Sequence, residues 1–208
     1  MLIAFAGLPS SGKSSTAKAL GRLINAEVHL EPEESAWPEL VRERATVGAF
    51  TALTWFRTVR VPQLFKANET RKSGRLSVID SYYDILIACY LGDDSFEWLL
   101  SRDDPYFPTA HAMVQADWKN LPKADLLIFL RLDEKTWHEF MDRRDRDFDR
   151  TAELTKHFEM QAKMEQACRK AAEDHGTRLI IINQTSATPE ITARKVAASI
   201  GIAICPHQ

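Results

Sequence analysis

Residues 7–14 read G-L-P-S-S-G-K-S, two glycines five apart followed by a lysine and a serine. This spacing can hold an anion. Gly7 and Gly12 let the main chain curl so that successive N–H groups across Ser10, Ser11, Gly12, Lys13, Ser14 and Ser15 converge on one charge. A helix starting near Lys13 adds its positive N-terminal end. The Lys13 ammonium reaches the β- and γ-phosphates of a nucleoside triphosphate as a point charge, and the Ser14 hydroxyl offers an oxygen to Mg²⁺. The plain alternative is an ordinary Gly/Ser turn. The apolar run Leu2-Ile3-Ala4-Phe5-Ala6 just before the loop and the helical stretch after it favour the phosphate reading.

Two further sets of residues bear on what happens to a bound triphosphate. Asp80 closes the apolar run 76–80 and is followed by Ser81. A single strand-end carboxylate suits a small phosphotransferase, where it orients hydrated Mg²⁺; a helix-capping aspartate is the structural alternative. The D-x-x-G and N-K-x-D motifs of GTP switches are both missing, and no strand ends in the D-E of motor and transporter ATPases. Residues 143–150 read R-R-D-R-D-F-D-R. Such a run is commonly a solvated, self-paired face. Between two helices it also suits a lid over a transferring phosphoryl group, with Arg144 and Arg146 ahead of Arg143 and Arg150, since guanidinium forks grip phosphate oxygens in pairs.

These residues need a scaffold. Continuous apolar runs at 2–6, 76–80, 126–132 and 179–182 read as strands buried on both faces, and the alternating run 26–31 as a strand nearer an edge. Helical signals fill 13–25, 50–69, 82–91, 134–144, 151–175 and 188–200. Trp137, Phe140 and Met141 share a face of one helix, and Met160, Met164, Ala167 and Ala171 form a stripe on another. The alternation implies a three-layer α/β/α domain spanning 1–208, with a five-stranded, mainly parallel sheet and a basic lid. The stretch 92–122, with several Asp and Pro, reads as a long excursion over the sheet. Its Phe96, Trp98, Tyr106, Phe107 and Trp118 mark either a homodimer surface or a pocket cover.

Bulk properties narrow the partners. The chain has 208 residues and a formal net charge of −2, so nothing in its overall charge draws nucleic acid. Cys89, Cys168 and Cys205 form no C-x-x-C pair, which favours a reducing, cytoplasmic setting over a disulfide framework or zinc site. The five residues between Met1 and Gly7 are too few for a signal peptide or membrane span.

With these motifs in place, the chain resembles the P-loop nucleoside and nucleotide kinases, especially the deoxynucleoside kinase and thymidylate kinase group. The order of elements matches over nearly the whole length. Leu30-Glu31-Pro32-Glu33 resembles the Glu-Pro step closing the family's second strand. The resemblance implies that Glu31 is the general base beside a 5′-hydroxyl, with ATP and Mg²⁺ as the donor pair. It places the acceptor pocket along residues 50–66, with Trp55, Phe56 and Gln63 stacking on and hydrogen-bonding a base. It also places Asn183 and Thr185 near adenine. Tyr82 and Tyr83, following Asp80 at the sheet edge, are candidate acceptor contacts or core. One departure is plain: where the family has Arg-Ser after its strand-end acid, this chain has Ser81-Tyr82. Arg57 and Arg60, three apart on one helix face, are the candidates to replace the missing cation. Glu31, Glu33 and Glu34 also suit a cationic acceptor such as an amino sugar, so a kinase of another small metabolite or antibiotic stays open. So does a regulatory nucleotide-binding module.

Overall fold

The computed structural model describes residues 1–42, 44–83, 85–96, 99–144, 154–185 and 188–202. Within them, strands β1 (Leu2–Ala6), β2 (Glu27–His29), β3 (Ser77–Ile79), β4 (Leu126–Arg131) and β5 (Arg178–Asn183) form one sheet in the order β2-β3-β1-β4-β5. All four pairings are parallel. The helices are α1 (Lys13–Ile24), α2 (Glu39–Arg42), α3 (Arg44–Val47), α4 (Ala49–Lys72), α5 (Ile85–Tyr90), α6 (Phe107–Asn120), α7 (Glu134–Arg144), α8 (Leu154–His175) and α9 (Pro189–Ile200).

The alternation of side chains along each strand divides the core into two layers. Ile3 and Phe5 of β1, Val78 of β3 and Ile128 of β4 pack with Leu20 of α1 and Val196 of α9. Leu2, Ala4, Ile79 and Phe129 pack on the opposite side with Leu64 and Ala67 of α4 and Ala167 and Ala171 of α8. Because both faces are covered, the strands read in sequence as unbroken apolar runs. The parallel pairing has a positional consequence: all five strands end at one edge, where β1 releases the glycine loop, β3 releases Asp80, and β2 runs on into Glu31.

One expectation needs correction. The stretch 92–122 is not an irregular excursion, because it contains α6. Pro108, read as a loop signal, stands in the first turn of that helix, where proline costs no hydrogen bond. Ala110, Val114 and Asp117 form its buried stripe, and the aspartate hid the apolar periodicity. The aromatic residues there stand in different settings. Phe96 is core, Tyr106 is exposed and stacks on Phe50 at 5.0 Å, and Trp118 lies against His175 at 4.4 Å; Trp98 lies outside the described residues. Helix α4 also runs through Pro62, held by Leu53 on one side and Leu64 and Ala67 on the other. Among the described residues, no helix is long and apolar enough to cross a membrane. Cys89 and Cys168 are free thiols, and Cys205 lies outside the described residues.

Candidate active site

The loop between β1 and α1 is shaped by three residues with positive φ: Gly7 at 144°, Ser10 at 59° and Gly12 at 80°. A Cβ on Gly7 would stand 2.8 Å from the Leu130 carbonyl oxygen, so the loop can hug β4 only with glycine there. A Cβ on Gly12 would stand 3.0 Å from Gln184 Nε2. The Lys13 ammonium donates to the carbonyls of Gly7 (3.0 Å) and Leu8 (2.7 Å), curled across its own loop. The Ser11 hydroxyl is buried and has no hydrogen-bond partner among the described residues, as does Thr16 one turn into α1. A buried hydroxyl without a partner in a glycine-bounded loop is a polar group that calls for a further hydrogen bond.

Gln184 is a loop contact that the sequence reading missed. Its Nε2 donates to the Ser11 carbonyl at 3.4 Å, and its Oε1 accepts from Thr192 of α9 at 2.7 Å. The sequence reading chose its neighbours Asn183 and Thr185. Both are exposed, while Gln184 is buried, as strand alternation at the end of β5 requires.

Asp80 joins the loop to β2. It is 2% exposed. One carboxylate oxygen accepts the Glu31 amide at 2.9 Å, and the Ser14 hydroxyl lies close enough to stabilise the carboxylate. Burial pushes its carboxyl above the ordinary range, against the lowering pull of Ser14, the Glu31 amide and the Lys13 charge. Ser14 and Asp80 together can hold a hard cation, with water and phosphate oxygens completing the shell. Among the described residues no cluster of three or more His, Cys, Asp or Glu offers a self-sufficient metal site.

Glu31 is held from both ends. Its amide is on Asp80, and its Oε1 takes the Arg60 guanidinium through Nε (3.1 Å) and Nη2 (2.8 Å). No hydrogen bond reaches Oε2 among the described residues. Arg60 lies over the Phe56 ring at 4.8 Å, and Phe56 packs edge-on with Trp55 and Trp37. Trp37 in turn donates to the Pro32 carbonyl at 3.0 Å, so the segment after β2 is pinned over α4. Gln63 donates to the Leu30 carbonyl at 2.6 Å. Gln63 therefore braces the chain that presents Glu31.

The two candidate arginines part company. Arg60 serves Glu31, whereas Arg57 forms a bidentate pair with Asp117 of α6 at 2.7 and 2.8 Å. Tyr83 adds a third bond to Asp117 at 2.7 Å. Burial raises the Asp117 carboxyl, but the Arg57 and Tyr83 bonds outweigh it and hold the group below its ordinary range. Tyr82 sends its hydroxyl to the Ala124 amide ahead of β4, at the end of the sheet opposite the loop. Tyr82 and Tyr83 are thus tied into the packing behind β3, because the chain turns back under the sheet after Asp80. In the basic segment, Arg143 is exposed and lies over Phe140 at 5.8 Å. Arg144 closes α7, and Arg146 and Arg150 lie outside the described residues.

Similarity to known proteins follows this geometry. Three solved structures of deoxyadenosine kinase from M. mycoides superpose over 97% of this chain and 99% of theirs. They are the forms with dCMP and a flexible dCDP (TM-score 0.71, 16% identity), with dCTP (0.70, 16%) and with dATP (0.70, 15%). This chain has the fold of a P-loop deoxynucleoside kinase. Sequence comparison adds nothing to it: no family model matches, and neither does any characterised protein.

Proposed function

We propose that this chain is an ATP-dependent kinase that phosphorylates a hydroxyl of a small molecule, most naturally a deoxynucleoside. The observation that carries the reading is the Asp80 carboxylate, which accepts the Glu31 amide at 2.9 Å and is stabilised from the other side by Ser14 and Lys13 of the glycine loop. It sets a strand-end glutamate beside the place where a γ-phosphate would lie. Likeness to the deoxyadenosine kinase structures supports the substrate class.

The residues fit the missing groups. The buried Ser11 hydroxyl, the amides of the curled loop and the Lys13 ammonium suit a triphosphate tail, and Ser14 with Asp80 suits Mg²⁺. Magnesium triphosphate, when bound, supplies the phosphoryl group. The chain's own work is alignment and charge. Glu31 Oε2 accepts the proton of the acceptor hydroxyl as its oxygen takes the phosphoryl group. Arg60 fixes the carboxylate through Oε1 and puts a cation where the second-strand glutamate needs one, the role the absent strand-three arginine leaves open. Trp37, Trp55 and Phe56 offer ring faces and edges to a base. The pairing of Glu31 with Arg60 weighs against a cationic amino sugar, because the carboxylate is already neutralised. Arg144 and Arg146 supply lid charge in this reading.

The test is ADP release across a panel of nucleosides, nucleotides, sugars and aminoglycosides, with Lys13→Ala as control. Turnover that depends on a deoxynucleoside and vanishes in the variant supports the kinase. Turnover indifferent to every acceptor but altered by a protein partner would replace it with a regulatory module.

A further inference from the structure

The face Trp137, Phe140 and Met141 is more than packing. Trp137 is fully buried among Leu8, Leu132, Met141 and Met160, yet its indole N–H is not left unpaired. It donates to the Pro9 carbonyl at 3.0 Å, 128 residues away in sequence and inside the phosphate loop. Phe140, one turn on, has its ring edge 3.7 Å from where a Gly12 Cβ would stand. Helix α7 therefore seats directly on the outside of the loop.

Peptide planarity gives this bond a consequence. The Pro9 carbonyl and the Ser10 N–H belong to one trans peptide unit and point in opposite directions. Holding the carbonyl on Trp137 directs the Ser10 amide to the side of the loop away from that indole. The carbonyls of Gly7 and Leu8 are occupied by the Lys13 ammonium, and that of Leu8 also by the Ser11 amide. Ser10 needs such help, since a non-glycine residue at φ 59° is held in a conformation that costs roughly 1–2 kcal/mol.

We infer that Trp137 is a positioning residue for phosphate: its indole N–H holds the Pro9–Ser10 peptide so that the Ser10 amide serves the anion, and it couples the helix leading to the basic segment to that loop. The inference rests on the kinase reading only for the identity of the natural ligand.

Trp137→Phe keeps a ring in the cluster and deletes the donor. The readout is the dissociation constant of magnesium tripolyphosphate by calorimetry, beside the KM for ATP and for the acceptor. Affinity for tripolyphosphate is expected to fall roughly three- to tenfold, the weight of one hydrogen bond. KM for ATP should rise with it while KM for the acceptor stays put, a split that mere loss of packing would not produce. If the phenylalanine variant does not fold, benzothienylalanine at position 137, with sulfur in place of the N–H, makes the same deletion at constant shape. Unchanged tripolyphosphate affinity in the folded variant overturns the positioning role and leaves the kinase reading intact. Weakened tripolyphosphate binding in a protein with no acceptor-dependent turnover keeps the role and overturns the kinase. Wild type that takes up no tripolyphosphate overturns both.

Discussion

The glycine loop and the seam between α4 and α6 hold similar polar groups in opposite conditions. At the seam, Asp117 spends both oxygens on Arg57 and Tyr83, and its carboxyl lies below the ordinary range. At the loop, the Ser11 and Thr16 hydroxyls are buried without partners among the described residues, the Lys13 ammonium folds back on loop carbonyls, and Asp80 is pushed above the ordinary range by burial. The seam is complete as it stands, whereas the proposed function has the loop completed by a ligand. Arg57 and Arg60 carry the contrast within one helix: they are three residues apart, and each grips a carboxylate, but only Arg60 grips one beside the loop.

The contrast can be broken or sharpened by substitution. Glu31→Gln keeps the shape and removes the base. It is expected to lower kcat by about 10²–10⁴, with triphosphate affinity unchanged. A kcat near that of wild type would remove Glu31 from the mechanism. Arg57→Ala should act on stability instead. Loss of the Asp117 pair is expected to cost about 2 kcal/mol, a figure held down because 33% of the Arg57 side chain is exposed. That is roughly 4–8 °C in melting temperature for a chain of this size. Because the folded Asp117 pKa is depressed, the stabilisation is present above the ordinary carboxylate pKa and is lost as pH falls through the folded value. Wild type and variant melting curves should therefore converge in acid; a gap that persists there would contradict the pairing.

Asp80→Asn should have the smallest effect and the opposite sign. The folded pKa is raised, so in the unliganded protein stability declines as pH climbs from the ordinary value through the folded one. At neutral pH the asparagine variant is expected to melt slightly higher than wild type without ligand, and to gain less from magnesium ATP. A variant that melts lower and responds fully to magnesium ATP would mean that Asp80 is a structural cap.

Much of this contrast was legible in the sequence. The apolar runs placed four strands, since strands buried on both faces cannot hide their composition, and alternation placed β2 at the edge. The glycine spacing placed the loop, and the single aspartate after β3 placed Asp80. Less legible were contacts between elements distant in the chain. Trp137 to Pro9 and Gln184 to Ser11 span 128 and 173 residues, and neither has a local pattern. Helix α6 was missed because its buried stripe ends in Asp117, a charge whose partners are on α4 and behind β3. Arg57 and Arg60 were equivalent by spacing; only the crossing of α4 over β2 and α6 separates them.

Calorimetric titration of wild type with ATP in the presence of magnesium tests the central claim most directly, namely that the loop is a triphosphate site left incomplete by the protein alone. Saturable uptake at one site, lost in Lys13→Ala, is the expected result. No heat of binding for ATP or GTP up to millimolar concentration, from protein shown to be folded, would contradict it.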